Sequence, residues 1–136
     1  MRRREIVARY RTALSDCGLI WPTAAPDGAD VAHLCVVRST ARDRLRVALA
    51  ESCVGSDVHY PVLDYRQPAV VAEIGEVEGL AESDLAAACV LTLPCFPEMT
   101  ETEIGAVIDA VAACAAQFGD ASARSRKLGQ KLGQKS

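Results

Sequence analysis

Lysine is missing from residues 1–126, and Lys127, Lys131 and Lys135 all stand near the C-terminus. Chemistry that needs a positioned ε-amine, such as Schiff-base formation, therefore finds no group in the body of the chain. Aromatic residues make up only 4% of the sequence while half of it is apolar, so the core has to be built from Val, Leu, Ile and Ala. No apolar run approaches the roughly 20 residues needed to span a bilayer. The N-terminal "MRRRE" leads into an amphipathic stretch and not into a signal-peptide block, so the chain reads as cytoplasmic. G-x-G-x-x-G, P-loop, G-x-S-x-G and H-E-x-x-H signatures are all lacking, which removes the common cofactor and nucleophile motifs.

Metal and disulfide frameworks are equally poorly supported. Cys17, Cys35, Cys53, Cys89, Cys95 and Cys114 are scattered, contain no C-x-x-C pair and have two histidines beside them. Several occupy places where a small hydrophobe would serve, as in "VAHLCVVR" and "VAACAA", and they read as buried free thiols.

Charge is present but unevenly placed. The net charge is −3, yet residues 119–136 hold five basic residues against Asp120, while residues 1–118 hold ten arginines against seventeen acids. An acidic body with a short basic end lacks the clustered cations that a nucleic-acid face requires. The end repeats "KLGQ" at 127–130 and 131–134. The chain thus divides into a domain over 1–118 and a low-complexity basic tail over 119–136, read as disordered.

Periodicity outlines the domain. Ile6, Val7, Tyr10, Ala13, Leu14 and Cys17 recur at helical spacing over 4–17. The stretch 18–30 reads as a loop, and "VAHLCVVR" (31–38) as a buried strand. A second helix starts after Ser39 or Thr40 as N-cap and ends near Gly55. A strand is expected over 57–62, then a variable region, a helix in "ESDLAAACV" and a strand over 90–94. Thr100 and Glu103 form a T-x-x-E capping box opening a last helix with Ile104, Val107, Ile108, Val111 and Ala115 on its buried stripe. The expected fold is a small layered α/β (α+β-like) domain, a short antiparallel or mixed sheet with helices packed on it.

The chemistry concentrates in "HYPVLDYRQPA", residues 59–69. Pro61 and Pro68 restrict its backbone, while His59, Tyr60, Tyr65 and Arg66 offer directional donors suited to an oxygen-rich ligand. The plainer alternative has the tyrosines covering a sheet edge and Arg66 pairing with Asp64 or a surface acid. Cys53 with His59 as nucleophile and base, or Asp57 with Asp64 as an acid–base pair, are weaker readings, because spacing alone brings neither pair together. His33, at the start of the expected strand, reads as a satisfied core or boundary histidine.

The runs "RRREIVARYRTAL", "HLCVVRSTARDRLRVALAE", "VHYPVLDYRQPA" and "LTLPCFPEMTETEIGAVIDAV" together resemble the C-terminal small domain of the DegT/StrS-type nucleotide-sugar aminotransferases, over about residues 2–114. Those are fold-type I enzymes that use pyridoxal 5'-phosphate. The resemblance implies a large N-terminal domain that holds the cofactor and supplies its lysine, with dimerisation completing each active site. It also implies substrate-binding roles for His59, Tyr60 and Tyr65. The family often has a second histidine at the place of Tyr65 and a proline at that of Leu63. No catalytic, cofactor-binding or metal-binding residue is carried over. Met1 falls where the family's interdomain helix is already under way, so the resemblance implies a truncated or split reading frame, or a single domain taken from a longer protein. Three functions are therefore expected as alternatives: an enzyme portion inactive alone, a split subunit completed by a separate large-domain chain, or a small-ligand binding module. The split subunit predicts an apolar docking stripe of Ile6, Tyr10 and Leu14.

Overall fold

A computed structural model describes residues 1–23 and 29–132, with side chains described as far as residue 116. Helix α1 (Arg2–Ala13) is followed by strand β1 (Cys35–Arg38) and helix α2 (Arg42–Glu51). A 3-10 turn (Asp64–Arg66), helices α3 (Pro68–Ile74) and α4 (Ala81–Cys89), strand β2 (Val90–Leu93) and helix α5 (Glu101–Leu132) complete the order. Strands β1 and β2 pair antiparallel, Cys35 opposite Leu93 and Arg38 opposite Val90. Ile20 bridges to Arg38 on one edge and Asp57 to Thr92 on the other, so the sheet is four chain segments wide at its centre.

Alternation along the strands explains the layering. Cys35, Val37, Leu91 and Leu93 share one face and are buried. Against that face stand Ile6, Tyr10 and Leu14 of α1, Leu45 and Leu49 of α2, and Ile104, Val107 and Val111 of α5. The opposite face carries Val36, Arg38, Val90 and Thr92, of which only Thr92 is fully buried. This is the small α/β domain expected, with an antiparallel sheet covered by helices on one side.

Two devices lock the helices. The Thr100 hydroxyl accepts from the Glu103 amide at 3.2 Å, and the Glu103 carboxylate accepts from the Thr100 amide at 2.7 Å, the capping box read from sequence. Arg2 and Arg9 of α1 both bond the Glu101 carboxylate at the start of α5. Their proximity holds that carboxyl below its usual range, the Arg2 hydrogen bond being the largest cause. Tyr10 donates to the Pro94 carbonyl at 3.1 Å from inside the core, and burial pushes its phenol strongly up.

The structure differs from the expected elements at several places. Residues 57–62 form no strand: Asp57 makes a single bridge, and the chain then turns, because Asp57 caps the next amide, Val58, with its own carboxylate. Strand β1 begins only at Cys35, and α1 ends at Ala13. Helix α2 starts after Ala41, with Ser39 Oγ accepting from the Ala41 amide, and it is Cys53, at φ 57°, that takes the left-handed position after its end. The variable region contains α3, with Pro68 at its first turn and Gly75 at φ 78° beyond it.

Of the six thiols, Cys35 and Cys114 are buried, Cys17, Cys89 and Cys95 half-buried, and Cys53 exposed. The expectation of buried free thiols is therefore met at Cys35 and Cys114, only partly at Cys17, Cys89 and Cys95, and fails at Cys53, which lies in the turn after α2 and not on a packed face. The docking stripe fails more completely. Ile6, Tyr10 and Leu14 are each 0% exposed, because β2 and α5 already cover them. The backbone of α5 runs on to Leu132, into the segment 119–136 read as a tail; residues 133–136 lie outside the described residues. Among the described residues no helix is long and apolar enough to cross a membrane.

Candidate functional site

The site begins on strand β2. Thr92 pairs with Val36 of β1 on one side, while on the other it exchanges both backbone hydrogen bonds with Asp57, at 3.2 and 2.7 Å. That second pairing brings the following residues over the open face of the sheet. His59 lands with its Nδ1 at 3.0 Å from the Thr92 hydroxyl oxygen. The His59–Tyr60 peptide is cis. The two rings meet edge to face, with centroids 5.4 Å apart, and Tyr60 is 69% exposed. A half-buried imidazole fixed from beneath, beside an exposed phenol, makes a polar, aromatic ledge.

Tyr65 and Arg66 belong to a second cluster. The 3-10 turn directs the Tyr65 hydroxyl to Asp84 Oδ1 at 2.7 Å, and the Arg66 guanidinium reaches the same oxygen at 2.7 Å. Asp84 stands in the first turn of α4, where negative charge is favourable to the helix. The Tyr65 hydrogen bond, then that of Arg66, holds the Asp84 carboxyl below its usual range. The Tyr65 phenol is pushed up, chiefly by desolvation and then by the hydrogen bond to Asp84. A groove of about 360 Å³ runs past this cluster, lined by Tyr65, Arg66, Val71, Glu76, Val77 and Glu78.

Of the three residues expected to bind substrate, His59 and Tyr60 adjoin each other, whereas Tyr65 is committed to Asp84. The partner of Arg66 is an acid, as the plainer reading had it, but the acid is Asp84 and not Asp64. Cys53 and His59 share no hydrogen bond among the described residues, which leaves the nucleophile–base pairing without support. His33 is exposed, its Nδ1 at 3.4 Å from Arg3, and is no core histidine because its segment precedes β1. Sequence reasoning passed over Thr92 and Asp84. Thr92 left a signal, as the one polar residue in the apolar run "VLTL"; Asp84 left none beyond its place near a helix start.

Holding pyridoxal phosphate covalently requires a lysine, and residues 1–126 contain none. Residues 1–126 do not fit that role, and no catalytic step falls to them. Nor are any three His, Cys, Asp or Glu side chains among the described residues grouped to hold a metal ion.

The chain is similar to known proteins over most of its length. The profile of the DegT/DnrJ/EryC1/StrS aminotransferase family matches residues 1–112. A dTDP-3-amino-3,6-dideoxy-alpha-D-galactopyranose transaminase of Aneurinibacillus thermoaerophilus is 34% identical over 110 residues, 81% of this chain and 30% of that protein. A dTDP-3-amino-3,4,6-trideoxy-alpha-D-glucose transaminase of Streptomyces venezuelae is 35% identical over 111 residues, 81% of this chain and 29% of that protein. Among solved structures, S. venezuelae DesV in complex with a ketimine intermediate superposes with a TM-score of 0.77 at 35% identity, covering 84% of this chain and 31% of that one. NtdA from Bacillus subtilis, with the cofactor PMP bound, gives a TM-score of 0.75 at 26% identity, covering 85% of this chain and 28% of that one. The chain thus spans about 30% of the length of the relatives it matches.

Proposed function

Because the chain belongs to the DegT/DnrJ/EryC1/StrS aminotransferase family, we propose that it is the C-terminal portion of a cytoplasmic, pyridoxal-phosphate-dependent nucleotide-sugar aminotransferase of amino-sugar biosynthesis, inactive without a lysine-bearing cofactor domain. The observation that carries this reading is the family match over residues 1–112, with 34% and 35% identity to about 30% of the length of two transaminases named for dTDP-linked amino sugars, in a chain with no lysine before Lys127. In that role His59 and Tyr60 contact the nucleotide-sugar, and Tyr65 serves at the edge of the same loop. The ledge supplies binding and orientation, and the cofactor's chemistry comes from elsewhere.

A split subunit completed by a separate chain, or by a homodimer of the assembled enzyme, has one observation in its favour. Tyr60, Val62, Ile74, Val77, Leu80 and Leu85 are exposed large side chains that fall within one stretch of 26 residues, 60–85. Neither α3 nor α4 buries a single residue. Exposed apolar side chains gathered in one stretch of chain favour a covering partner, and that stretch follows His59 and does not belong to α1.

The test mixes the purified chain with the large domain of a related enzyme and follows the visible absorbance of lysine-bound pyridoxal phosphate. The expected result is a band in the mixture, with amino transfer to a nucleotide-linked keto-sugar, and none from the chain alone. A site-specific band in the chain alone overturns the reading. Binding of a nucleotide-sugar by the chain alone, with no activity in any mixture, favours a standalone binding module.

A further inference from the structure

Among the described residues Thr92, at 7% exposure, and Tyr10 are the side chains that carry a hydroxyl into the buried part of the domain. Thr92 lies on the sheet face opposite Leu91 and Leu93, in the strand that is hydrogen-bonded on both sides. Its position is therefore among the most rigidly defined in the molecule. A threonine hydroxyl has one proton to donate and two lone pairs to accept with. Among the described residues, His59 Nδ1, at 3.0 Å, is the only hydrogen-bond partner of that hydroxyl. Valine would fill the same space in an apolar strand with no polar group to satisfy, so the hydroxyl calls for an explanation in terms of the imidazole.

The direction of the bond follows from satisfying the proton. If Nδ1 carried hydrogen, the Thr92 O–H would point into a buried environment with no acceptor, and an orphaned buried donor costs about 1–3 kcal/mol. If Nδ1 is bare, it accepts from Thr92 and every proton has a partner. A hydroxyl oxygen short of a donor is the lesser defect. The ring nitrogen that makes the inward bond decides which nitrogen holds the proton. Nε2, across the ring and away from Thr92, must then be the N–H.

We infer that Thr92 is a positioning residue that holds His59 in the Nε2–H tautomer, so that the ledge presents a fixed hydrogen-bond donor to an acceptor oxygen of the nucleotide-sugar. The oxygens of a diphosphate and of a keto-sugar carbonyl are acceptors, and a preset donor meets them without reorientation. The inference about the ligand rests on the substrate-contact reading of His59; the inference about the tautomer does not.

The chain has two histidines, which makes the test direct. With 15N in the imidazole rings, long-range proton–nitrogen spectra in alkaline buffer report which nitrogen of each ring carries hydrogen, and exposed His33 is an internal control. The expected spectrum shows His59 as Nε2–H in the native chain and in Thr92→Ser, which keeps the hydroxyl. In Thr92→Val the His59 nitrogens shift toward an averaged mixture of tautomers while His33 stays in place. A native His59 protonated at Nδ1, or a Thr92→Val spectrum identical to the native one, overturns the inference. Should Thr92→Val fail to fold, the native and Thr92→Ser spectra still decide it, since loss of the Nε2–H pattern in either contradicts the bond. Added dTDP-glucose then separates the two readings. A shift confined to His59 supports donor and substrate contact together, and the expected tautomer with no shift retains Thr92's role while removing the ledge from the substrate site.

Discussion

At the scale of single residues, burial decides which reactive groups are available. Cys35 is enclosed in the core, and burial pushes its thiol up to about 12. Burial likewise raises Cys17, Cys95 and Cys114 above the ordinary thiol range, so the thiolate that alkylating agents need is scarce at each. Cys53 stands apart as the exposed thiol. Iodoacetamide at neutral pH should therefore label Cys53 first, with Cys35 and Cys114 modified only after unfolding; peptide mapping over a time course checks the order. His59 and Tyr60 illustrate the opposite case. Their residue types and the neighbouring prolines marked a polar, aromatic loop, whereas the hydroxyl beneath the imidazole showed only as the one polar residue of an otherwise apolar strand.

Among the elements, those governed by short-range chemistry were the most legible. The T-x-x-E box predicts its own hydrogen bonds, because both partners lie within one helical turn. Thr100→Ala should cost about 1 kcal/mol, read as a lower urea midpoint with an unchanged slope, and Thr100→Ser should restore most of it. The strand expected over 57–62 failed for the converse reason. Alternation there satisfies a strand pattern, but a strand exists only where a partner continues beside it, and β2 offers an edge to Asp57 alone. Helix α3 was present in the sequence as a proline followed by a glycine at the right interval, signals outweighed by the variable look of its surroundings. The left-handed residue after α2 was assigned to the nearest glycine, yet Cys53 takes it, since Val54 must turn inward three residues after the helix and its amide already returns to Leu49. The Asp84 cluster joins a turn to a helix across 19 positions, a distance at which no local pattern speaks.

For the whole molecule, α1 is held to the rest by charge at its rim as well as by its apolar stripe. The carboxyls of Glu101, Glu103 and Asp84 all sit below their ordinary range in the folded state. Groups of this kind stabilise the fold above their unfolded values, near pH 4, and that contribution disappears as pH falls through the folded ones. The urea midpoint should accordingly be flat between pH 7 and about pH 5 and fall below it. Glu101→Gln should start lower at pH 7, fall less, and approach the native curve once acid has protonated Glu101 in the folded state; the gap should narrow in 1 M salt, as expected for exposed pairs. The same rim contact has a consequence for biosynthesis. Arg2 and Glu101 are 99 positions apart. At about 5–20 residues per second, a ribosome needs roughly 5–20 s after making α1 before the start of α5 exists. Throughout that interval Ile6, Tyr10 and Leu14 lack the part of their cover that α5 supplies, which makes nascent α1 a natural client for holding chaperones.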